Sequence, residues 1–231
     1  MVAPQSAIRG VLFDLDGTLL DTIDDLAACM NAAVAGAGLP TRPVAEHKLM
    51  VGDGVANYVL RAMPEQSRGD AELVGRVRES YRRLYSEHWA DRTAPYEGIE
   101  PMLGRLVERG TALAVLSNKP DGFTRQMVAH FFPAVRFAAV RGAVDGQPLK
   151  PDPAAALHIA RLAGLPAASF AYLGDTATDM RTARAAGMLA VGALWGFRPR
   201  AELEAAGAEA LIDHPLKLVN VIADCEFRIA D

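Results

Sequence analysis

A short apolar run, Val11-Leu12-Phe13, stops abruptly at Asp14-Leu15-Asp16-Gly17-Thr18. It follows Gly10 and carries no charge, which reads as a strand buried on both faces of a parallel sheet. The residues just beyond such a strand emerge at the carboxyl edge of the sheet, where open α/β folds place their ligands. Side chains alternate along extended chain, so Asp14 and Asp16 are expected on one side and Leu15 on the other. Two carboxylates converging at a sheet edge repel each other unless a cation lies between them, and hard oxygen ligands favour Mg²⁺.

The pattern then changes twice. From Ile23 to about Trp89 it is helical: Ile23, Leu26, Ala27, Met30, Ala33 and Val34 recur at helical spacing, with Asp21 or Thr22 as N-cap. Gly36, Gly38 and Pro40 end that helix, and further helices are expected over 43–51, after Gly54 and over 71–89. Past the linker 94–98, strands at 112–116, 136–140, 170–173, 189–193 and 210–212 alternate with helices at 99–109, 121–131, 153–163, 178–186 and 200–205. Such alternation means a parallel sheet with helices on both faces. The expected fold is α/β: a Rossmann-like parallel sheet core from residues 1–21 and 95–231, with an all-α cap inserted as residues 22–94.

Composition narrows the partners. Of 231 residues, 51% are hydrophobic, enough for a sizeable core. A net charge of −4 argues against nucleic acid or an anionic membrane surface. No uninterrupted apolar stretch reaches the ~20 residues that span a bilayer, and the first ten residues do not read as a secretory signal. Cys29 and Cys225, far apart in apolar helical patterns, read as buried free thiols of a reducing cytoplasm. Arg76, Arg78, Arg82 and Arg83 alternate with Asp70, Glu72, Glu79 and Glu87, which is the pattern of a solvated helix face.

Three further polar groups fall where strands should end. Ser117-Asn118-Lys119 follows 112–116, and a hydroxyl with free backbone N–H groups there can hold phosphoryl oxygens. Lys150, in Pro148-Leu149-Lys150-Pro151-Asp152-Pro153, can reach inward as a point charge. Gly174-Asp175-Thr176-Ala177-Thr178-Asp179 follows 170–173, with Asp179 one helical turn past Asp175.

In this order the four segments resemble the aspartate-based phosphohydrolases of the haloacid dehalogenase superfamily, and the helical insert is similar to the cap of its phosphoglycolate phosphatase-like branch. The resemblance implies Asp14 as nucleophile, Asp16 as general acid and base, Ser117 binding the phosphoryl group, and Lys150 stabilising charge. It implies Mg²⁺ held by Asp14, Asp16 and Asp175, with Asp179 behind it or on Lys150. Asn118 would orient the phosphoryl or leaving group, and Thr18 and Gly52 would border the substrate. An aspartate at position 16 implies phosphoryl transfer, not dehalogenation. The junction Val51-Gly52-Asp53-Gly54-Val55 lets backbone approach a ligand and aims helix N–H groups at an anion, which suits a small carboxylated leaving group. The Trp195-Gly196-Phe197 loop also looks like that branch, with Arg198 beyond it read as a surface arginine. Lys48, the lone lysine of the cap, is not expected to form a Schiff base.

The implied activity is hydrolysis of a small phosphomonoester, 2-phosphoglycolate first, through an aspartyl-phosphate. A nucleotidase, a pyrophosphatase, a sugar-phosphate mutase and a non-catalytic binding module remain alternatives. The implied partner is a small phosphorylated metabolite, with no nucleic acid and no membrane, and a cytoplasmic monomer or homodimer is expected.

Overall fold

A computed structural model describes residues 7–227, with side chains to residue 223. The apolar run forms β1 (Gly10–Phe13), and all four of its residues are buried. Next come β2 (Leu20–Asp21) and four helices, α1 (Ile23–Gly36), α2 (Val44–Met50), α3 (Val55–Ala62) and α4 (Ala71–His88). The chain returns through β3 (Ala94–Pro95), which pairs antiparallel with β2. Then follow α5 (Ile99–Glu108), β4 (Ala112–Pro120), α6 (Asp121–Phe131), β5 (Ala139–Ala143), α7 (Ala154–Leu162), β6 (Phe170–Gly174) and α8 (Ala177–Ala186). The last elements are β7 (Leu189–Ala193), α9 (Arg200–Ala205), β8 (Ala210–Ile212) and α10 (Lys217–Phe227).

Six strands form one parallel sheet in the order β5-β4-β1-β6-β7-β8. Period-2 alternation divides β1 between two cores. Val11 and Phe13 face Ile99, Met102 and Leu103 of α5, Met127 of α6 and Leu218 of α10. Leu12 faces Ala156 and Ile159 of α7, Met180 and Ala183 of α8, and Leu203 of α9. The fold is therefore an α/β parallel sheet covered on both faces, as expected. Helices α1–α4 build a third core of their own around Met30, Val34, Val59, Met63 and Val77.

The sheet register fixes where the polar segments meet. Phe13 lies beside Val115 of β4 on one flank and Leu173 of β6 on the other. Residues just past each strand therefore gather at a single edge.

Several local expectations are corrected. The strand expected at 136–140 forms at Ala139–Ala143, because pairing starts only where Ala139 meets Ala114. Val135 and Phe137 pack against the core as partly buried residues ahead of it. β4 does not end at Leu116 but continues through Ser117-Asn118-Lys119 to Pro120, with a register shift on the way. Thr22 stands at the N-cap of α1 without a side-chain capping bond, and its buried hydroxyl has no partner. The cap of α8 is Thr176, in a reciprocal capping box with Asp179. α10 had no counterpart among the expected helices. Cys29 is a buried free cysteine; the side chain of Cys225 lies outside the described residues. No helix among the described residues is long and apolar enough to cross a membrane.

Candidate active site

Three carboxylates meet at the sheet edge. Asp14, Asp175 and Asp179 are all buried, and one oxygen of each lies within 4.8 Å of the others. Asp14 follows β1, Asp175 follows β6, and Asp179 stands in the first turn of α8. Lys150 joins them from the segment before α7: its Nζ is 2.8 Å from Asp14 Oδ1 and 2.7 Å from Asp179 Oδ1.

The partners of each carboxylate separate their roles. Asp179 is saturated: Oδ1 accepts from Lys150 and from the Tyr172 hydroxyl, and Oδ2 from the backbone N–H and hydroxyl of Thr176. Asp175 accepts from Thr18 Oγ1 at 2.8 Å and from the Phe197 N–H at 2.8 Å. Gly17 and Gly196 wall it in, since a Cβ at either would overlap its carboxyl group. Gly17 also has φ +83°, a conformation that suits glycine. Asp14 accepts from the Leu15 N–H at 2.7 Å and faces Lys150, both on Oδ1.

Charge does not balance within this cluster. Three buried carboxylates face one buried ammonium, leaving two negative charges. Burial, then Asp179, pushes Asp14 well above the usual carboxylate range, against the pull of Lys150. Burial and Asp179 raise Asp175 to about 7. Lys150 is held firmly protonated: burial opposes its charge, but Asp14 and Asp179 outweigh it. A divalent cation would cancel the excess, so the residues present fit Mg²⁺ or a similar hard ion.

Asp16 is not in the cluster. Its oxygens lie 3.0 and 3.2 Å from Nζ of Lys119, a buried residue at the end of β4. Lys119 satisfies that carboxylate locally, so the side chain expected beside Asp14 at the cation instead belongs to an ion pair, and the third clustered carboxylate is Asp179. Thr18 also departs from expectation. Its hydroxyl is committed to Asp175 and does not line the cleft.

A cleft, partly open to solvent, lies between the sheet edge and the helical insert. Asp14, Asp16, Ser117, Asn118 and Lys119 form its floor, and Gly52 and Gly54 border it. Its far wall carries Tyr58, Tyr81 and Tyr85, which sequence periodicity alone would assign to packing. The rings form a continuous ladder, Tyr58 edge-on to Tyr81 and Tyr81 stacked on Tyr85. His47 backs Tyr58 at 2.8 Å, and burial lowers its pKa. Arg82, expected on a solvated helix face, is exposed and also reaches the cleft.

The loop between α2 and α3 is fastened to the core at three points. Asn118 Nδ2 donates to Gly52 O at 3.0 Å and to Lys150 O at 3.1 Å, while its Oδ1 accepts from Lys150 N at 2.9 Å. The Asn118 amide thus serves backbone on both sides, where a role on the phosphoryl or leaving group was expected. Thr178 Oγ1 bonds Asp53. Arg198, read from sequence as a surface residue, is largely buried and donates to the carbonyls of Leu49 and Val51.

A parallel sheet with an aspartate after its first strand, a lysine between two carboxylates and a helical cover over the cleft defines a class of phosphate-ester hydrolase. The family model of the haloacid dehalogenase-like hydrolases matches residues 11–193, and the chain belongs to that family and is a phosphatase. It is 31% identical over 217 residues to the phosphoglycolate phosphatase of Chromobacterium violaceum, covering 93% of this chain and 96% of that one. The phosphoglycolate phosphatase of Pseudomonas syringae pv. tomato is 29% identical over 222 residues, covering 95% and 81%. A crystal structure from Lactobacillus delbrueckii subsp. bulgaricus superposes with a TM-score of 0.88 at 30% identity, covering 94% of this chain and 99% of that one.

Proposed function

We propose that this phosphatase hydrolyses a small phosphomonoester with a carboxylated leaving group, 2-phosphoglycolate first, through an aspartyl-phosphate on Asp14. The observation that carries the chemistry is the buried Asp14–Lys150 contact within a cluster of net negative charge. Relatives named phosphoglycolate phosphatase over nearly the whole chain support the substrate.

A bound Mg²⁺, held by Asp14 and Asp175 with Asp179 behind them, would neutralise phosphoryl oxygens and the approaching nucleophile. Asp14 Oδ2 attacks phosphorus and the bridging P–O bond breaks, giving an acyl-phosphate. Lys150 holds Asp14 in its attacking orientation and offsets the charge of Asp179. Ser117 offers its hydroxyl to a non-bridging oxygen. Asp16 gives a proton to the departing oxygen, then takes one from the water that hydrolyses the acyl-phosphate. The helices over the cleft exclude bulk water from the first step. A cytoplasmic reaction accords with the free thiol of Cys29.

Phosphate release from a panel of phosphomonoesters, with Mg²⁺ and with EDTA, tests this reading. Metal-dependent release concentrated on 2-phosphoglycolate is expected. Reappearance of the phosphoryl group on a second sugar hydroxyl, without net phosphate release, would overturn it in favour of a mutase.

A further inference from the structure

The walls of the cleft are poor company for an anion. Leu26, Val51, Val55, Tyr58, Tyr81 and Tyr85 offer mostly apolar surface. A carboxylate entering there loses hydration and must recover it from a cation or from hydrogen bonds. Two basic side chains line the cleft among the described residues, exposed Arg82 and buried Lys119. Lys119 lies deeper, on the floor beside Ser117 and Asp16, and its ammonium sits 4.5 Å over the Tyr85 ring. That ring fixes the ammonium from one side, and Asp16 occupies another.

The two halves of the Lys119–Asp16 pair are unequally held. The lysine side chain is 5% exposed and the aspartate 18%. Asp16 stands in the turn that closes β1 and has the freer path into the cleft. An incoming carboxylate can therefore replace it without disturbing the ammonium.

We propose that Lys119 is the specificity-determining residue for the leaving group: it accepts a carboxylate placed close to the bridging oxygen, and Asp16 is the internal stand-in that this carboxylate displaces. The exchange moves Asp16 off Lys119 only when a carboxylated ester is bound. Binding of the right leaving group and release of Asp16 are then one event. The inference rests on the roles given above to Asp14 and Asp16 and adds to them the residue that selects the substrate.

The test compares 2-phosphoglycolate with ethyl phosphate, which carries a methyl group in place of the carboxylate. The wild-type protein is expected to favour phosphoglycolate in kcat/KM. In Lys119→Met the preference for phosphoglycolate shrinks by about 10- to 100-fold, the worth of a charge-assisted bond, with most of the loss in its KM. Lys119→Arg should restore part of the preference. An equal loss on both esters, with the preference intact, would make Lys119 a mere support for Asp16 and overturn the inference. Should Lys119→Met not fold, the wild-type protein answers alone: glycolate should inhibit ethyl phosphate hydrolysis competitively and ethylene glycol should not. Equal inhibition by the two, or none by glycolate, overturns the inference while the phosphatase reading stands. No phosphate release from either ester would strike at that reading first and take this inference with it.

Discussion

Lys150 Nζ lies 2.8 Å from Asp14 Oδ1, and both side chains are almost wholly buried. The contact joins residues far apart in sequence and puts the sole ammonium of the cluster against the proposed nucleophile. Replacing Lys150 by Met should lower phosphate release by at least about 10²-fold. It should also destabilise the metal-free protein by about 3–5 kcal/mol, because Asp14 and Asp179 are left without their counter-charge. Asp14→Asn, which keeps shape and removes charge, should lose turnover and, without metal, melt no lower than wild type. Mass spectrometry of acid-quenched protein should find a phosphoryl adduct in wild type and none in the Asn variant.

Asp175, alongside Asp14, contributes to the pH behaviour of the metal-free protein. Its folded pKa of about 7 lies above the ordinary aspartate value of 3.8. The folded state therefore holds more protons between those values, and stability falls as pH rises from about 4 to 7. EDTA-treated protein should melt at lower temperature at pH 8 than at pH 5, and added Mg²⁺ should reverse the loss. Asp175→Asn should flatten that slope, stabilise the metal-free protein by about 1–4 kcal/mol at pH 8, and abolish the response to Mg²⁺.

His47 should act in the opposite direction. It is fully buried between Tyr58 and Asn31, and burial depresses its pKa below 6.5. Asn31 Oδ1 already accepts from the Arg42 N–H, so Nε2 of His47 donates to it and Nδ1 accepts from Tyr58. Stability is then present above the unfolded pKa and lost as pH falls through the lowered one. Melting curves of His47→Gln should lack this acid-side loss while costing about 1–2 kcal/mol near neutrality.

Asn118→Ala removes three hydrogen bonds that tie Gly52 and Lys150 to the end of β4. A loss of about 1–3 kcal/mol is expected. Hydrogen exchange at residues 49–54 should quicken, and KM should rise. Unchanged exchange there would assign the fastening to Arg198 and Thr178 instead.

The fold was legible in the sequence wherever hydrophobic pattern and pairing coincide. Helix α6 and strands β7 and β8 occupy the expected residues because apolar runs there end at clear breakers. β5 slipped because Val135 and Phe137 alternate like a strand but only pack against the core, and alternation reports burial, not hydrogen bonding. The carboxylates and Lys150 were legible because each belongs to a short local motif, Asp14 and Asp175 just past strands, Asp179 in the first turn of a helix and Lys150 between prolines ahead of one. The Lys119–Asp16 pair was not, since 103 residues separate its members and no local pattern links them. Tyr81 and Tyr85, four residues apart on α4, have the spacing of ordinary core positions, and only the position of the cleft distinguishes them.

β2 and β3 pair Leu20 with Pro95 and Asp21 with Ala94. The outgoing and returning crossings are thereby stitched into one narrow ribbon. Whatever chain is threaded between them leaves and re-enters at the same spot, and its length costs the sheet almost nothing. The ribbon is a graft junction: modules of other size or shape can be spliced there while Asp14, a few residues upstream, keeps its place.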